Sequence, residues 1–344
     1  MMKLLAVFLA LVIAGFAGYT ISTQINQGGR GPSASPAAPP QLPWIAAAPG
    51  KVEPKSGEIL IGTSLPGRIA EVLVKVNDKV EVGELLLRLD DQEARARLAA
   101  AEAEAAVRKQ ERDSQPTPAG REDVRRAEDA VFSSERSLTG ARFDLDRSLA
   151  GRRNGTVTEQ MLTESRRRYA DARDRLQRDR LAVATALARS NVPPPSRLES
   201  LLSAARAEVA VAEALLDKTR IRSPISGTVF QIHAKVGEIV VPAAEQPLIV
   251  MGDLSLIRVK AEVDELDASK IKLGQRVFVK SGSFPGKEFE GRVAALAPSL
   301  SAPRISARGP RRPTDVDVLE VTIDLEGNTP LLPGMRVDAF FRRE

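Results

Sequence analysis

Few residues of this sequence combine into a pattern that could carry out catalysis. The chain has no Cys, which excludes disulfides, cysteine–zinc sites, thiol nucleophiles and a lipid-modified N-terminal Cys. His233 is its single His, and a lone His in a strand is more often a surface or core residue than a general base. The carboxylates of Asp90, Asp91 and Glu93 lie at a strand-to-helix boundary, where they favour the helix N-terminus. We therefore expect no enzyme, no metal and no cofactor.

A basic stretch is the other feature that could bind a ligand. Residues 142–180 contain eleven Arg against seven Asp or Glu, with only Phe143 and Tyr169 available for base stacking. A nucleic-acid surface needs more than this, so a solvated and mildly basic helix face is the better interpretation. We expect no nucleic acid among the partners.

The elements around these residues include an internal repeat at an offset of 160 residues. GRIAEVLVKVNDKV begins at Gly67 and GTVFQIHAKVGEIV begins at Gly227. Both copies carry a turn-forming dipeptide, Asn77-Asp78 or Gly237-Glu238. The equivalent apolar residues are Ile69 and Val229, Val72 and Ile232, Val76 and Val236, and Val80 and Val240. Because one such unit is not stable alone, we expect the copies to face each other in a small β-sandwich.

Residues 91–218, between the two copies, change from a period of two to a helical period. Apolar residues recur every seven positions in three stretches, with mostly small residues three positions later. The seven-residue positions are Val124, Val131, Leu138 and Leu145; Leu162, Tyr169, Leu176 and Val183; and Leu202, Val209 and Leu216. Heptads of this kind predict helices that pack closely side by side.

Three breaks divide the helical region: GRRNGT at 151–156, QPTPAG at 115–120 and VPPP at 192–195. Proline inside a helix removes a hydrogen bond and clashes with the preceding turn. The two proline breaks stand at similar distances on either side of the central turn. This symmetry favours an antiparallel hairpin jointed at one height, with arms of roughly 75 Å at 1.5 Å per residue. The alternative is four separate helices in a compact bundle.

The N-terminal run of residues 4–21 contains no charge and follows Lys3. As a helix it would measure about 27 Å, enough to cross a bilayer core. The positive charge before the run predicts that the N-terminus stays inside and the rest is exported. We expect an uncleaved anchor, and a cleaved signal peptide is the alternative.

The remaining segments are a linker and a β-rich region. Residues 27–43 are rich in Gly, Pro, Ser and Ala, which is typical of a linker. After Met251, several alternating segments are separated by Gly and Pro turns. These short strands predict a small β-barrel.

A pair of β halves split by a helical hairpin, between a membrane anchor and a β-barrel, resembles the HlyD family of periplasmic adaptor (membrane fusion) proteins. Strings similar to the family's are GRIAEVLVKVNDKVEVGELLLRLD at 67–90, TRIRSPISGTV at 219–229 and LLPGMRV at 331–337. The string APGKVEPKSGEI at 48–59 is most similar to the DevB-like branch, which serves ABC exporters. Family members usually have Gly where this chain has Asn77, a change that a turn position can absorb.

The resemblance implies a mixed α and β, elongated multidomain fold. A long antiparallel α-helical hairpin would be inserted between two halves of a lipoyl-like β-sandwich, followed by a β-barrel and a membrane-proximal β domain, with an N-terminal transmembrane helix. The implied boundaries are 4–21 for the anchor, 22–43 for the linker, 64–90 plus 219–251 for the lipoyl-like domain, 91–218 for the hairpin, 50–63 plus 252–300 for the barrel, and 44–49 plus 301–344 for the membrane-proximal region.

The function implied is that of an adaptor in a tripartite export system. Its partners would be an inner-membrane ABC exporter, an outer-membrane channel and further copies of this chain in a hexameric ring. The chain would cross the inner membrane once, with its bulk in the periplasm. An RND-type efflux pump is the alternative partner, less favoured because its adaptors often carry the lipidated Cys that this chain lacks. A lipoyl or biotinyl carrier is less favoured still, since the helical insertion occupies the junction where such a domain exposes its Lys.

The resemblance also implies a site at the hairpin tip. The family motif there has an Arg, a Leu four residues on and a Ser seven beyond, and the matching positions are Arg147, Gly151 and Thr158. Arg is kept, while Gly replaces Leu and Thr replaces Ser. Together with Arg152 and Arg153, these residues are candidates for contact with the outer-membrane channel, and we expect their turn to lie farthest from the anchor.

Local structure offers a plainer account of the same turn. Thr158 or Thr156 could cap the second helix, and Thr156 with Glu159 fits a capping box. Arg147 could simply pair with the neighbouring helix acid Asp144.

Overall fold

The computed structural model of the protein describes residues 44–118, 120–189, 192–305, 317–327 and 329–343. The predicted anchor at 4–21 and the linker at 22–43 lie outside this part of the chain. Within it, no helix is both long and apolar enough to cross a membrane.

Eight short strands of the described chain form the two sheets of a sandwich, one in the order β2-β9-β7-β4 and the other in the order β6-β5-β3-β8. The strands are β2 (Ile59–Ile61), β3 (Gly67–Val72), β4 (Lys79–Val80), β5 (Leu85–Leu89), β6 (Arg220–Arg222), β7 (Gly227–Ile232), β8 (Ile239–Val240) and β9 (Ile249–Gly252). The second strand of each repeat pairs with the first strand of the other, Val80 opposite Gly227 and Val240 opposite Gly67. This exchange confirms that the two copies pack together across the helical insertion.

The turns of the two copies match in detail. Asn77 and Gly237 occupy equivalent positions, with φ of 71° and 89°. The Asn77 N–H donates to Val229 O at 2.9 Å, and the Gly237 N–H donates to Ile69 O at 2.8 Å. Asn is one of the few side chains that adopts this left-handed conformation routinely, which explains how the turn accepts Asn77.

A closed barrel has the strand order β1-β10-β13-β12-β11-β14. Its strands are β1 (Trp44–Pro54), β10 (Ile257–Asp264), β11 (Arg276–Lys280), β12 (Glu288–Ser301), β13 (Val318–Leu325) and β14 (Arg336–Arg342), with a short helix, α5 (Glu265–Ala268), after β10. The separate membrane-proximal region expected from 44–49 plus 301–344 is therefore wrong, because β1, β13 and β14 belong to the barrel. Residues 59–61, expected in the barrel, pair with β9 in the sandwich instead. Closure removes the open edges that β10, β11 and β12 alone would expose.

Four helices follow one another between β5 and β6: α1 (Gln92–Asp113), α2 (Glu122–Arg153), α3 (Glu159–Leu187) and α4 (Arg197–Lys218). The backbones of α2 and α3 run close together, as do those of α1 and α4. The heptad positions Leu202, Val209 and Leu216 are all buried, as are Leu162 and Leu176. The helices and their pairing follow the predicted heptads.

The direction of α2 differs from the expectation. Beyond the end of α1, α2 runs back alongside it: Arg112 pairs with Asp129 at 2.9 Å, and Arg136 pairs with Glu102. The extended hairpin with 75 Å arms is therefore wrong, and the helices lie side by side as two pairs, which is closer to the four-helix alternative. The loop containing Pro116 and Pro118 reverses the chain, and ion pairs between the helices hold the reversed arrangement.

Candidate functional site

The turn between α2 and α3 is shaped by its own backbone. Gly155 has a φ of 72°, and the Thr156 N–H and hydroxyl both donate to Gly151 O, at 2.8 and 3.0 Å. The Thr158 hydroxyl caps α3 by accepting from the Met161 N–H at 3.3 Å. Capping by Thr158 is confirmed, whereas the predicted capping box of Thr156 with Glu159 is wrong, because the Thr156 hydroxyl is engaged on α2.

Gly151 stands where the family motif has Leu, and its surroundings explain the change. A Cβ at this position would lie 2.5 Å from Val157 Cγ2 and 3.0 Å from Thr156 Oγ1. A larger residue would therefore require the side chains of Val157 and Thr156, or the turn that carries them, to move. The glycine therefore serves a tight turn, and it offers no apolar anchor to a partner.

Arg147 and Arg152 are the exposed charges of the site. The Arg147 side chain is 82% exposed and pairs with Asp144 at 3.3 Å, as the plainer account predicts. Arg152 crosses the turn to Glu159 at 3.2 Å. Exposed pairs of this kind are worth little, so both guanidinium groups are free to exchange partners.

Arg153 has a different environment, because it reaches the sandwich. Its guanidinium donates to Glu84 Oε1 at 2.6 Å and to Leu73 O at 3.2 Å. Burial raises the pKa of Glu84, although a hydrogen bond from the Glu81 N–H and the charge of Arg153 oppose that shift. The turn expected to lie farthest from the anchor thus packs on the lipoyl-like sandwich, next to β5.

Two further contacts fasten α2 to β6 and were missed from the sequence. Arg222 forms a bidentate ion pair with Asp146, in which Nη2 donates to Oδ2 at 2.7 Å, and both side chains are buried. The Arg220 guanidinium lies 3.9 Å from the centre of the Phe143 ring. A signal for them existed: Arg220 and Arg222 alternate in a strand, so both project to the same face of the sheet.

The opposite end of the four helices is pinned by Glu199. Its carboxylate accepts from Arg121 at 3.0 Å and from Arg125 at 2.6 Å, and it completes a capping box with Ser196. Burial alone would raise the pKa of Glu199, but hydrogen bonds from Arg125, the Ser196 N–H and Arg121 outweigh it and lower the pKa to about 2. Arg121 also donates to Pro193 O at 3.0 Å, so this cluster joins the two proline-containing loops.

The split sandwich and the barrel that follows it can be compared with known proteins. The family model described as "RND MFP, barrel-sandwich hybrid domain" matches residues 58–252, more than half of the chain. This chain belongs to the membrane fusion protein family. A second model, "YknX-like beta-barrel domain", matches residues 257–339 of this membrane fusion protein.

Curated relatives are similar at a moderate level. The protein is 27% identical to the multidrug resistance protein MdtN of Shigella flexneri over 67% of this chain and 66% of that protein. It is 25% identical to protein CyaD of Bordetella pertussis over 87% of this chain and 76% of the relative. The chain thus spans less than two thirds of MdtN and about three quarters of CyaD.

The fold also matches a solved structure. The crystal structure of MacA from Actinobacillus actinomycetemcomitans aligns with a TM-score of 0.52, at 20% identity, over 88% of this chain and 79% of that one. At this identity the match shows a shared fold and nothing about cargo or partners.

Proposed function

We propose that this membrane fusion protein is the periplasmic adaptor of a tripartite export system, connecting an inner-membrane exporter to an outer-membrane channel. One observation carries the proposal: the chain combines the matched sandwich and barrel domains with a long helical insertion between the sandwich halves. The name of MdtN as a multidrug resistance protein is consistent with such a role. In this role the protein connects other components and catalyses no reaction.

The charge-free run at residues 4–21 would hold the adaptor in the inner membrane, with a single span and the remaining domains in the periplasm. N-terminal sequencing of protein isolated from cell membranes tests this placement. We expect the run to be present. A mature chain that begins near Gly18 and is released with the soluble periplasm would contradict it.

An ABC-type exporter is the favoured inner-membrane partner, because the segment at 48–59 is most similar to adaptors of such exporters and the chain has no Cys to lipidate. The RND-type pump is the second candidate, supported by the description of the matching family model. Copurification of the full-length protein from mildly solubilised membranes, followed by mass spectrometry, would identify the permease. Recovery of an ABC permease supports the first partner and recovery of an RND pump the second. Recovery of neither would contradict the adaptor role.

Adaptors of this kind need more than one copy, because a single chain encloses no channel. We propose a ring, hexameric as the family resemblance implies. Native mass measurement of the full-length protein with its permease should give a multimer. A strict monomer under those conditions would contradict the ring.

The candidate channel contact remains the turn residues Arg147, Gly151, Arg152, Arg153 and Thr158. Arg147 supports this proposal best, since its guanidinium is largely exposed and its ion pair in the described part of the chain is the exposed one with Asp144. Arg147→Asp should abolish recovery of an outer-membrane protein with the adaptor while leaving helix content unchanged. Arg167→Asp is the matched control, an exposed Arg on α3 that pairs with Glu164. Equal recovery with both variants would place the contact elsewhere.

A further inference from the structure

The four helices are two tight pairs that meet loosely. Within the α2–α3 pair and within the α1–α4 pair the backbones approach closely, but α2 hardly approaches α1 or α4 that closely anywhere. A cleft of about 610 Å³ separates α2 and α3 from α4, with Val131, Phe132, Val183 and Leu202 among its lining residues. The contact between the pairs therefore lacks the close packing of a protein core.

Charged side chains provide most of this contact. Besides the Arg125–Glu199 pair of the cluster described above, seven ion pairs in the described residues link α2 or α3 to the rest of the molecule. They are Arg112 and Arg206 with Asp129, Arg136 with Glu102, Arg142 with Asp217, Arg222 with Asp146, Arg153 with Glu84, and Arg166 with Glu81. Apolar contact is limited: Phe132 packs beside Ala105, Ala205 and Val209. Separation would return most of these charges to water, which offsets much of the lost attraction.

The contacts within the α2–α3 pair do not depend on the rest of the molecule. The hydroxyls of Ser148 and Ser165 lie 2.7 Å apart. Further from the turn, Glu135 pairs with Arg180 and Asp123 with Arg189. Partners stay in step along both helices, as in a two-stranded antiparallel coil, so the pair can move as one body.

Both connections to this body contain proline: Pro116 and Pro118 stand between α1 and α2, and Pro193, Pro194 and Pro195 stand between α3 and α4. Proline prevents either loop from joining its flanking helices into one continuous helix. The Glu199 cluster lies beside both loops, since Arg125 Nη1 donates to Thr117 Oγ1 at 2.7 Å while Arg121 holds Pro193. A rotation about this point would keep the cluster and break the seven ion pairs.

We propose that α2 and α3 form a hinged arm, which the ion pairs hold folded on the sandwich and which swings out about the Glu199 cluster to lie end to end with α1 and α4. At 1.5 Å per residue, α1 and α2 in line would carry the Arg147-to-Thr158 turn to roughly 80 Å from the sandwich. The opening stands on the contacts above. Its purpose, to present the turn to an outer-membrane channel, rests on the proposed function.

The absence of Cys from the sequence permits a clean distance measurement on the full-length protein. Glu81→Cys with Arg166→Cys places spin labels at an ion pair that joins the arm to the sandwich. Ser148→Cys with Ser165→Cys is the matched control within the arm. In the folded state both label pairs should give short distances.

Asp146→Asn combined with Arg153→Gln removes two of the buried ties from the arm itself. We expect the 81–166 distance to lengthen to about 50 Å or more, the scale set by the length of α2, while the 148–165 distance stays short and the helix content is unchanged. A short 81–166 distance in this variant would overturn the inference. A long 148–165 distance would show unfolding of the arm in place of hinge motion, and would also overturn it.

A reducible bismaleimide across Glu81→Cys and Arg166→Cys tests the purpose in cells. The locked protein should still recover its permease but lose the outer-membrane protein, and reduction should restore recovery. Equal recovery of the outer-membrane protein when locked would refute the arm and leave the adaptor role intact. If even the unlocked protein recovers no permease, the adaptor role fails, while the distance measurement still decides whether the arm opens.

Discussion

The sandwich and the helical insertion are held together by different forces. In the sandwich, Ile69, Leu86 and Leu87 from one half and Ile249 and Met251 from the other are completely buried. Between the two helix pairs, Arg–carboxylate contacts replace such a core. The burial of apolar side chains does not depend on attraction between charges. The two charges of an ion pair, in contrast, can separate and become hydrated at modest cost. The comparison indicates a sandwich with one arrangement and a helical insertion whose arrangement can change.

The largest effect should come from the sandwich core. Leu87→Ala should destabilise this domain by about 4 kcal/mol, because the side chain is completely buried and truncation leaves a cavity. Leu60→Ala is the control in the same sandwich, since Leu60 is 64% exposed and should change stability by less than about 0.5 kcal/mol. Calorimetry, with hydrogen exchange to assign the transition, measures both. Similar losses for the two variants would show that burial does not stabilise this domain.

The second largest effect should come from the Glu199 cluster, at the end of the helices that lies far from the sandwich. Glu199→Gln removes the counter-charge that the buried Arg121 and Arg125 share and leaves Arg121 only the more distant Glu128, at 3.8 Å, among its described ion pairs. Removing one partner of a buried pair costs about 3 kcal/mol. Glu122→Gln, which breaks the exposed pair with Arg126, should cost about 0.3 kcal/mol. Hydrogen exchange of α4 reports the difference. If the amides of α4 are as protected from exchange in Glu199→Gln as in Glu122→Gln, the cluster does not hold this end of the helices together.

The same cluster predicts a pH dependence. The pKa of Glu199 is lowered in the folded state to about 2, so its contribution is present above the unfolded pKa and is lost as pH falls toward 2. Linkage gives a loss of about 2 kcal/mol between pH 7 and pH 3. Acid titration of the helical signal should show this loss, and Glu199→Gln should lack it. An identical acid titration in both proteins would contradict the assignment.

The sandwich could be predicted because its pattern of strands and turns occurs twice in the sequence. The offset repeat marks the strands, and the Asn77-Asp78 and Gly237-Glu238 turns mark where each strand reverses. The barrel was harder to bound, because β1 stands more than 200 residues before its partner β10. No periodicity connects strands at that separation, so the sequence predicts residues 44–49 and the segments of β13 and β14 as a region of their own.

The direction of α2 could not be predicted for a different reason. Heptads specify that α2 packs on α3 and α1 on α4, and both pairings exist in an extended hairpin and in a folded one. The choice between them depends on pairs such as Arg153 with Glu84 and Arg222 with Asp146. These partners stand 69 and 76 positions apart, beyond any local pattern. Because the same helix pairings exist in both arrangements, the proposed arm can take either position without breaking them.

Gly151 permits a smaller test of the turn. Gly151→Ala should destabilise the α2–α3 pair by about 2 kcal/mol, because the added Cβ would lie 2.5 Å from Val157 Cγ2. Gly140→Ala on the same helix meets open space and should stabilise it by about 0.5–1 kcal/mol. Thermal unfolding followed by circular dichroism gives both values. Stabilisation by both variants would mean that the turn has room for a side chain, and that the departure from the family's Leu has another cause.

The smallest effect should come from the equivalent turns at Asn77 and Gly237, one in each half of the sandwich. Asn77 has a φ of 71° with its N–H bonded to Val229 O, so Asn77→Ala should cost about 1 kcal/mol, the usual penalty for a left-handed residue other than Gly or Asn. Asn77→Gly should restore or slightly exceed the original stability, since glycine adopts this conformation freely. Gly237→Ala places the same strain in the second copy and should cost about as much. If the pseudo-symmetry is energetic as well as geometric, the two alanine variants will lower the sandwich transition by similar amounts in calorimetry. A loss confined to Gly237→Ala would instead show that the first turn relaxes to accept the alanine side chain.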